Sequence, residues 1–71
     1  MSNVQQYADF YSQVCEYVAS HPHIRIGQAY FNMLEDINPR IANGLRGTDL
    51  DPFYSESVSE DTHTYVQYNW S

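Results

Sequence analysis

Lysine is absent from the sequence, and Arg25, Arg40 and Arg46 are its only side chains of fixed positive charge. Against them stand nine carboxylates, for a formal charge of −6. A phosphate backbone is repelled by such a surface unless the arginines gather on one face, so nucleic-acid binding is disfavoured. Cysteine occurs once, at Cys15, which rules out an intrachain disulfide. Small secreted domains with little core usually carry several such bridges, so cytoplasmic residence is the expectation. No run approaches the roughly 18 apolar residues of a membrane span, and Met1 to Gln6 has neither the basic region nor the apolar run of a secretion signal. Length sets a further bound, because 71 residues leave room for one core and one domain, residues 1–71. A chain near 60 residues hides only about 60% of its unfolded surface, which makes a deep catalytic cleft hard to build.

What is present is apolar and aromatic. Apolar residues make up 42% of the chain, with seven Tyr, three Phe and one Trp, too hydrophobic a mix for a disordered tail. Val4, Tyr7, Ala8, Tyr11, Val14, Cys15 and Val18 recur at three- and four-residue steps, which predicts an amphipathic helix over about 3–20. Ser2 with Gln5 fits a capping box, and Ser20-His21-Pro22 stops the helix. Ile26, Ala29, Tyr30, Met33, Leu34 and Ile37 repeat the period and predict a second helix over about 25–36. Gly27 sits in its first turn, where it allows another backbone to come close. Asn38-Pro39 starts a third helix, with a side-chain acceptor at the cap and a proline already at helical φ. That helix carries Ile41, Ala42 and Leu45 inward and stops at Gly47, although Asn43-Gly44 is also a turn signal that could end it sooner. Asp51-Pro52 repeats the cap-then-proline pattern and suggests one helical turn at Pro52 to Tyr54. The last stretch supports two readings. Thr62, Thr64, Val66, Tyr68 and Trp70 alternate as in a strand, whereas Val58, Thr62, Tyr65, Val66 and Trp70 approach helical spacing behind a Ser57 to Glu60 capping box. The helix, over about 58–69, is favoured because a lone strand has no partner here. The expected fold is all-α, a bundle of three to four short helices. Its core is Tyr7, Tyr11, Val14, Val18, Ala29, Tyr30, Met33, Leu34, Ile37 and Leu45.

Two segments carry a resemblance. Arg25-Ile26-Gly27-Gln28-Ala29-Tyr30-Phe31-Asn32-Met33-Leu34 and Arg46-Gly47-Thr48-Asp49-Leu50-Asp51-Pro52-Phe53-Tyr54 are similar to the R-x-G-Q-A-x-F-N-x-L and R-G-T-x-x-D-P-F-Y segments of short uncharacterised proteins encoded by bacteriophages and prophages. The resemblance covers nearly the whole chain. The chain departs from that pattern at Gly44 and in a C-terminal segment richer in Ser and Thr and poorer in Leu. The resemblance implies a phage origin, residence in the host cytoplasm and a helical fold, and it carries no assigned activity.

The candidate site residues are polar. Arg25, Gln28 and Asn32 fall at i, i+3 and i+7 on one helical face and could converge with Arg46 on an anionic or nucleotide-like ligand. The competing reading makes them scaffolding, with Gln28 or Asn32 bonding the loop at Arg46 to Asp51, and Arg46 pairing with Asp49 or Asp51. Asp49 and Asp51 resemble the start of a calcium loop, but its remaining ligands are missing, so no metal or cofactor is expected. His21, His23 and His63 form no ligand pattern, and Cys15 on the apolar stripe reads as a small hydrophobe. Residues 48–71 hold Asp49, Asp51, Glu56, Glu60 and Asp61 without a basic residue, a solvated face able to steer a basic partner. The leading expectation is a non-enzymatic accessory protein that binds a host or defence protein, or a second copy of itself. Tyr54, the other surplus tyrosines and Trp70 would form the contact patch, with Glu56, Glu60 and Asp61 steering. The alternatives are a small-ligand module and, after it, an acidic mimic of DNA.

Overall fold

A computed structural model describes residues 3–70. It holds four helices, α1 (Asn3–Ser20), α2 (Ile26–Ile37), α3 (Pro39–Leu45) and α4 (Glu60–Asn69), and no strand among the described residues. The expected all-α fold is the observed one. The capping box at Ser2 lies outside the described residues.

The ends of the helices follow local chemistry. The α1 helix closes where His21 stacks on Tyr17, 4.1 Å between ring centroids, and His21 Nδ1 lies 2.9 Å from the Tyr17 carbonyl oxygen. Asn38 both ends α2 and begins α3. Its N–H donates to Leu34 O and its carbonyl accepts from Ile41 and Ala42. The Asn38 side chain makes no capping bond, contrary to expectation, so the backbone carbonyl and Pro39 start α3. The α3 helix ends at Leu45, and Gly47 follows at φ 76°, a left-handed conformation that suits glycine. The α4 helix starts two residues later than the Ser57 capping box predicts. Ser59 is the cap, its Oγ accepting from Thr62 N at 3.2 Å, and Glu60 and Asp61 occupy the first turn, where carboxylates favour the helix dipole.

The core is an aromatic cluster gripped by α1, α2 and α4. Phe10 lies 5.2 Å from both Tyr30 and Trp70, and Tyr7 meets Trp70 edge-on at 5.9 Å. Leu34, Ile41, Ala42, Leu45 and Val66 fill the space toward α3. The buried stripe of α1 is thus Tyr7, Phe10 and Val14, rotated from the predicted one. Val4, Ala8 and Cys15 are exposed, and Tyr11 and Val18 are half-buried. Cys15 is therefore a surface thiol rather than a core hydrophobe. Ile37, expected inside, is exposed because α2 ends there and turns away at Asn38.

Between α3 and α4 the chain crosses back over the first turn of α2. A Cβ placed on Gly27 would lie 2.5 Å from the carbonyl oxygen of Ser55 and nearer still to that of Pro52. Glycine is needed there for space, as the sequence suggests.

Candidate functional site

Residues 46–55 form a loop that satisfies its own backbone. Asp51 Oδ2 accepts from Gly47 N and Oδ1 from Phe53 N, both at 3.0 Å, and Thr48 Oγ1 donates to Leu45 O while accepting from Leu50 N. Ser55 N donates to Pro52 O at 2.8 Å, closing the single turn expected after Asp51. Asp51 and Thr48 thus do the work proposed for Gln28 and Asn32, neither of which bonds the loop. The loop is tied to α4 by Thr62, whose buried hydroxyl donates to Leu50 O at 2.8 Å.

This self-contained loop presents an aromatic face. Phe31 on α2 meets Phe53 edge-on at 5.9 Å, and Phe53 meets Tyr54 at 4.9 Å. The Arg46 guanidinium sits 5.1 Å from the centre of the Phe31 ring. Arg46 pairs with Glu35 of α2, not with Asp49 or Asp51, since Asp51 is already occupied by two loop amides. A groove of about 480 Å³ runs between these residues, bordered also by Asn32 and Gly47. Tyr54 stands at its edge, 85% exposed.

The other predicted site residues lie apart. Arg25 lines a different groove, with Val18, Pro22 and Glu56. Gln28 is half-buried and borders neither groove, so Arg25, Gln28, Asn32 and Arg46 share no common floor. Trp70 is only 7% exposed and belongs to the core, not to a contact patch, because its ring closes the aromatic cluster on Tyr7 and Phe10. Asp49, Glu56, Glu60 and Asp61 are exposed and form no ion pair among the described residues.

One polar cluster was not foreseen. The Tyr30 and Tyr7 hydroxyls lie 2.7 Å apart, and the Tyr7 hydroxyl also bonds His63 Nδ1. The three residues come from α2, α1 and α4, and Tyr7 and His63 stand 56 positions apart, a separation no local pattern reveals. Tyr11 packs its ring edge-on against His63 at 4.6 Å. Burial pushes the Tyr7 phenol up to about 12, against the bond from Tyr30, and raises Tyr30 further still. Burial also raises Tyr11, helped by the neighbouring Cys15. It lowers His63, and the Glu60 carboxylate opposes that shift. Both phenols therefore stay protonated at neutral pH and can donate. Among the described residues no set of three or more His, Cys, Asp or Glu is arranged to hold a metal ion, and no helix is long and apolar enough to cross a membrane.

The fold and this surface define a small four-helix domain with an aromatic loop face and an acidic flank. Compared with known proteins, the chain matches no family model, no curated protein and no solved structure.

Proposed function

We propose that the protein is a small phage-encoded accessory domain acting by stoichiometric binding to a host or defence protein, with no chemistry of its own. The observation that supports this is the face around Tyr54. Tyr and Arg are enriched where interfaces bind tightly, since both offer large contact area together with hydrogen-bonding groups. Here Tyr54 rests on Phe53, and Arg46 lies over Phe31 and pairs with Glu35, so part of the ordering that docking needs is already made. Asp49 and Glu56 flank the same loop and favour a partner whose facing surface is basic.

The test is capture from host lysate with the full chain, followed by reconstitution with the captured protein and calorimetry. The reading expects 1:1 binding that weakens at least tenfold in Tyr54→Ala, with melting unchanged because Tyr54 is exposed. Binding unaffected by Tyr54→Ala and Arg46→Ala together would move the interface elsewhere. Turnover of any substrate by the purified chain would overturn the non-catalytic reading.

A further inference from the structure

The Tyr30, Tyr7 and His63 chain has only one arrangement in which every hydroxyl hydrogen is paired. With His63 neutral and Nδ1 accepting, Tyr7 donates to His63 and Tyr30 donates to Tyr7, so each hydroxyl hydrogen has an acceptor. Protonated His63 must instead donate from Nδ1 to the Tyr7 oxygen. Tyr7 then turns its hydrogen to Tyr30, and the Tyr30 hydrogen has nowhere to go, because that side chain is fully buried and its hydroxyl has Tyr7 as its partner. If Tyr30 keeps donating to Tyr7, the Tyr7 hydrogen is stranded, in a side chain only 6% exposed. Either way one buried donor is orphaned.

We propose that this chain is a pH-sensing latch, holding α4 against α1 and α2 while His63 is neutral and loosening it when His63 takes up a proton. The titratable groups facing His63 are Tyr7 and Tyr11 from α1, Tyr30 from α2 and Glu60 from α4 itself. The phenols stay neutral in the relevant range, and the Glu60 carboxylate moderates the response without reversing it. The folded value of His63 lies below the ordinary 6.5, so the unfolded chain binds more protons as pH falls past that point. The stabilisation is complete above the ordinary value and is lost on acidification. Half-burial of His63 leaves a route for the proton. The consequence extends to the binding face, because α4 also anchors the loop through Thr62 and Leu50.

Trp70 reports the latch directly, as the only tryptophan and a neighbour of Tyr7. Its emission, near-ultraviolet circular dichroism and thermal melting would be followed on the wild-type chain from about pH 7.5 to 5, above the usual carboxylate range. An orphaned buried hydroxyl predicts a loss of about 5- to 150-fold in the folding constant, with Trp70 emission shifting red. His63→Asn places an amide oxygen where Nδ1 stood and accepts from Tyr7 without titrating, so its signals should stay flat across that range. His21→Gln with His23→Gln should leave the transition in place. Should His63→Asn fail to fold, the histidine proton resonances of the wild type still decide, since His63 must titrate at the pH where Trp70 responds. A flat wild-type Trp70 signal, a transition kept in His63→Asn, or a titration of His63 that does not coincide with the Trp70 change would overturn the latch.

Discussion

Replacing Gly27 by alanine and, separately, Gly44 by alanine should move stability in opposite directions, although both glycines lie in helices. Alanine is favoured over glycine by about 1 kcal/mol in a helix interior and by less in the end turns where both glycines lie, so propensity alone predicts two stabilised variants. At Gly27 the new methyl meets the backbone carbonyls of Pro52 and Ser55. The Ser55 oxygen must retreat by roughly 1 Å and the Pro52 oxygen by roughly 1.5 Å to regain ordinary contact, since dispersion turns to steep repulsion at shorter range. They belong to the turn closed by Ser55 N and Pro52 O and capped by Asp51, so the loop cannot yield without straining those bonds. Overpacking of this kind costs about 1–3 kcal/mol, and each disturbed hydrogen bond about 0.5–1.5. Set against the propensity gain, Gly27→Ala should lose about 2–3 kcal/mol, or roughly 8–24 °C in Tm for a domain of this size. At Gly44 the nearest obstacle is the Tyr65 hydroxyl at 2.9 Å, the far end of a half-buried side chain that can swing aside. Gly44→Ala should therefore gain up to about 1 kcal/mol. Thermal and urea unfolding of the two variants measure both. A Gly27→Ala protein melting at or above wild type would refute the close loop crossing.

Asp51→Ala should cost about 1–2 kcal/mol in urea unfolding, because it strips the acceptors from Gly47 N and Phe53 N; Asp51→Asn, which keeps one oxygen, should recover part of that. Arg46→Ala should cost no more than about 2 kcal/mol, up to about 1 from its solvent-exposed pair with Glu35 and up to about 1 from the stacking on Phe31; a larger loss would mean the guanidinium is sequestered. Asp49→Asn with Glu56→Gln should leave melting unchanged while slowing association with a basic partner and flattening its salt dependence; identical rates at low salt would remove the steering role. Adding Glu60→Gln and Asp61→Asn should lower stability by about 0.3–1 kcal/mol each, through the lost charge at the start of α4. Double-stranded DNA should not bind at physiological salt, and a salt-sensitive gel shift would contradict that.

The helices were legible because each of α1, α2 and α3 combines a 3.6-residue apolar period with its own stop signal. Gly27 was legible too, as a helical glycine with no local excuse. Phe10 is hidden in the sequence because α1 is apolar over more than one stripe, and α2 and α4 together decide which face is covered. Trp70 reads as a surface aromatic until Val66 and Thr62 show that the last helix turns it inward. The Arg46 partner is hidden in the sequence for a related reason. Nearby Asp49 and Asp51 looked closest in sequence, but a turn that folds Asp51 back on Gly47 and Phe53 leaves Arg46 facing α2. His63 carries no signal of its own, since its partners are distant tyrosines and buried hydroxyls follow no spacing rule.

The contact of α1 with α4 also sets the order in which the chain can assemble. The α1–α2 and α2–α3 contacts join neighbours in sequence, whereas Tyr7 meets His63 across 56 residues and Phe10 meets Trp70 across a similar span. Closing a segment of that length costs about 3–4 kcal/mol of chain entropy beyond the constant term, and nothing is gained until both ends are in place. The α4 helix is therefore expected to dock after α1, α2 and α3 have come together, which stopped-flow refolding followed on Trp70 would test. For a helical chain otherwise rich in local contacts, this longest of its closures is expected to slow folding relative to a simple three-helix bundle.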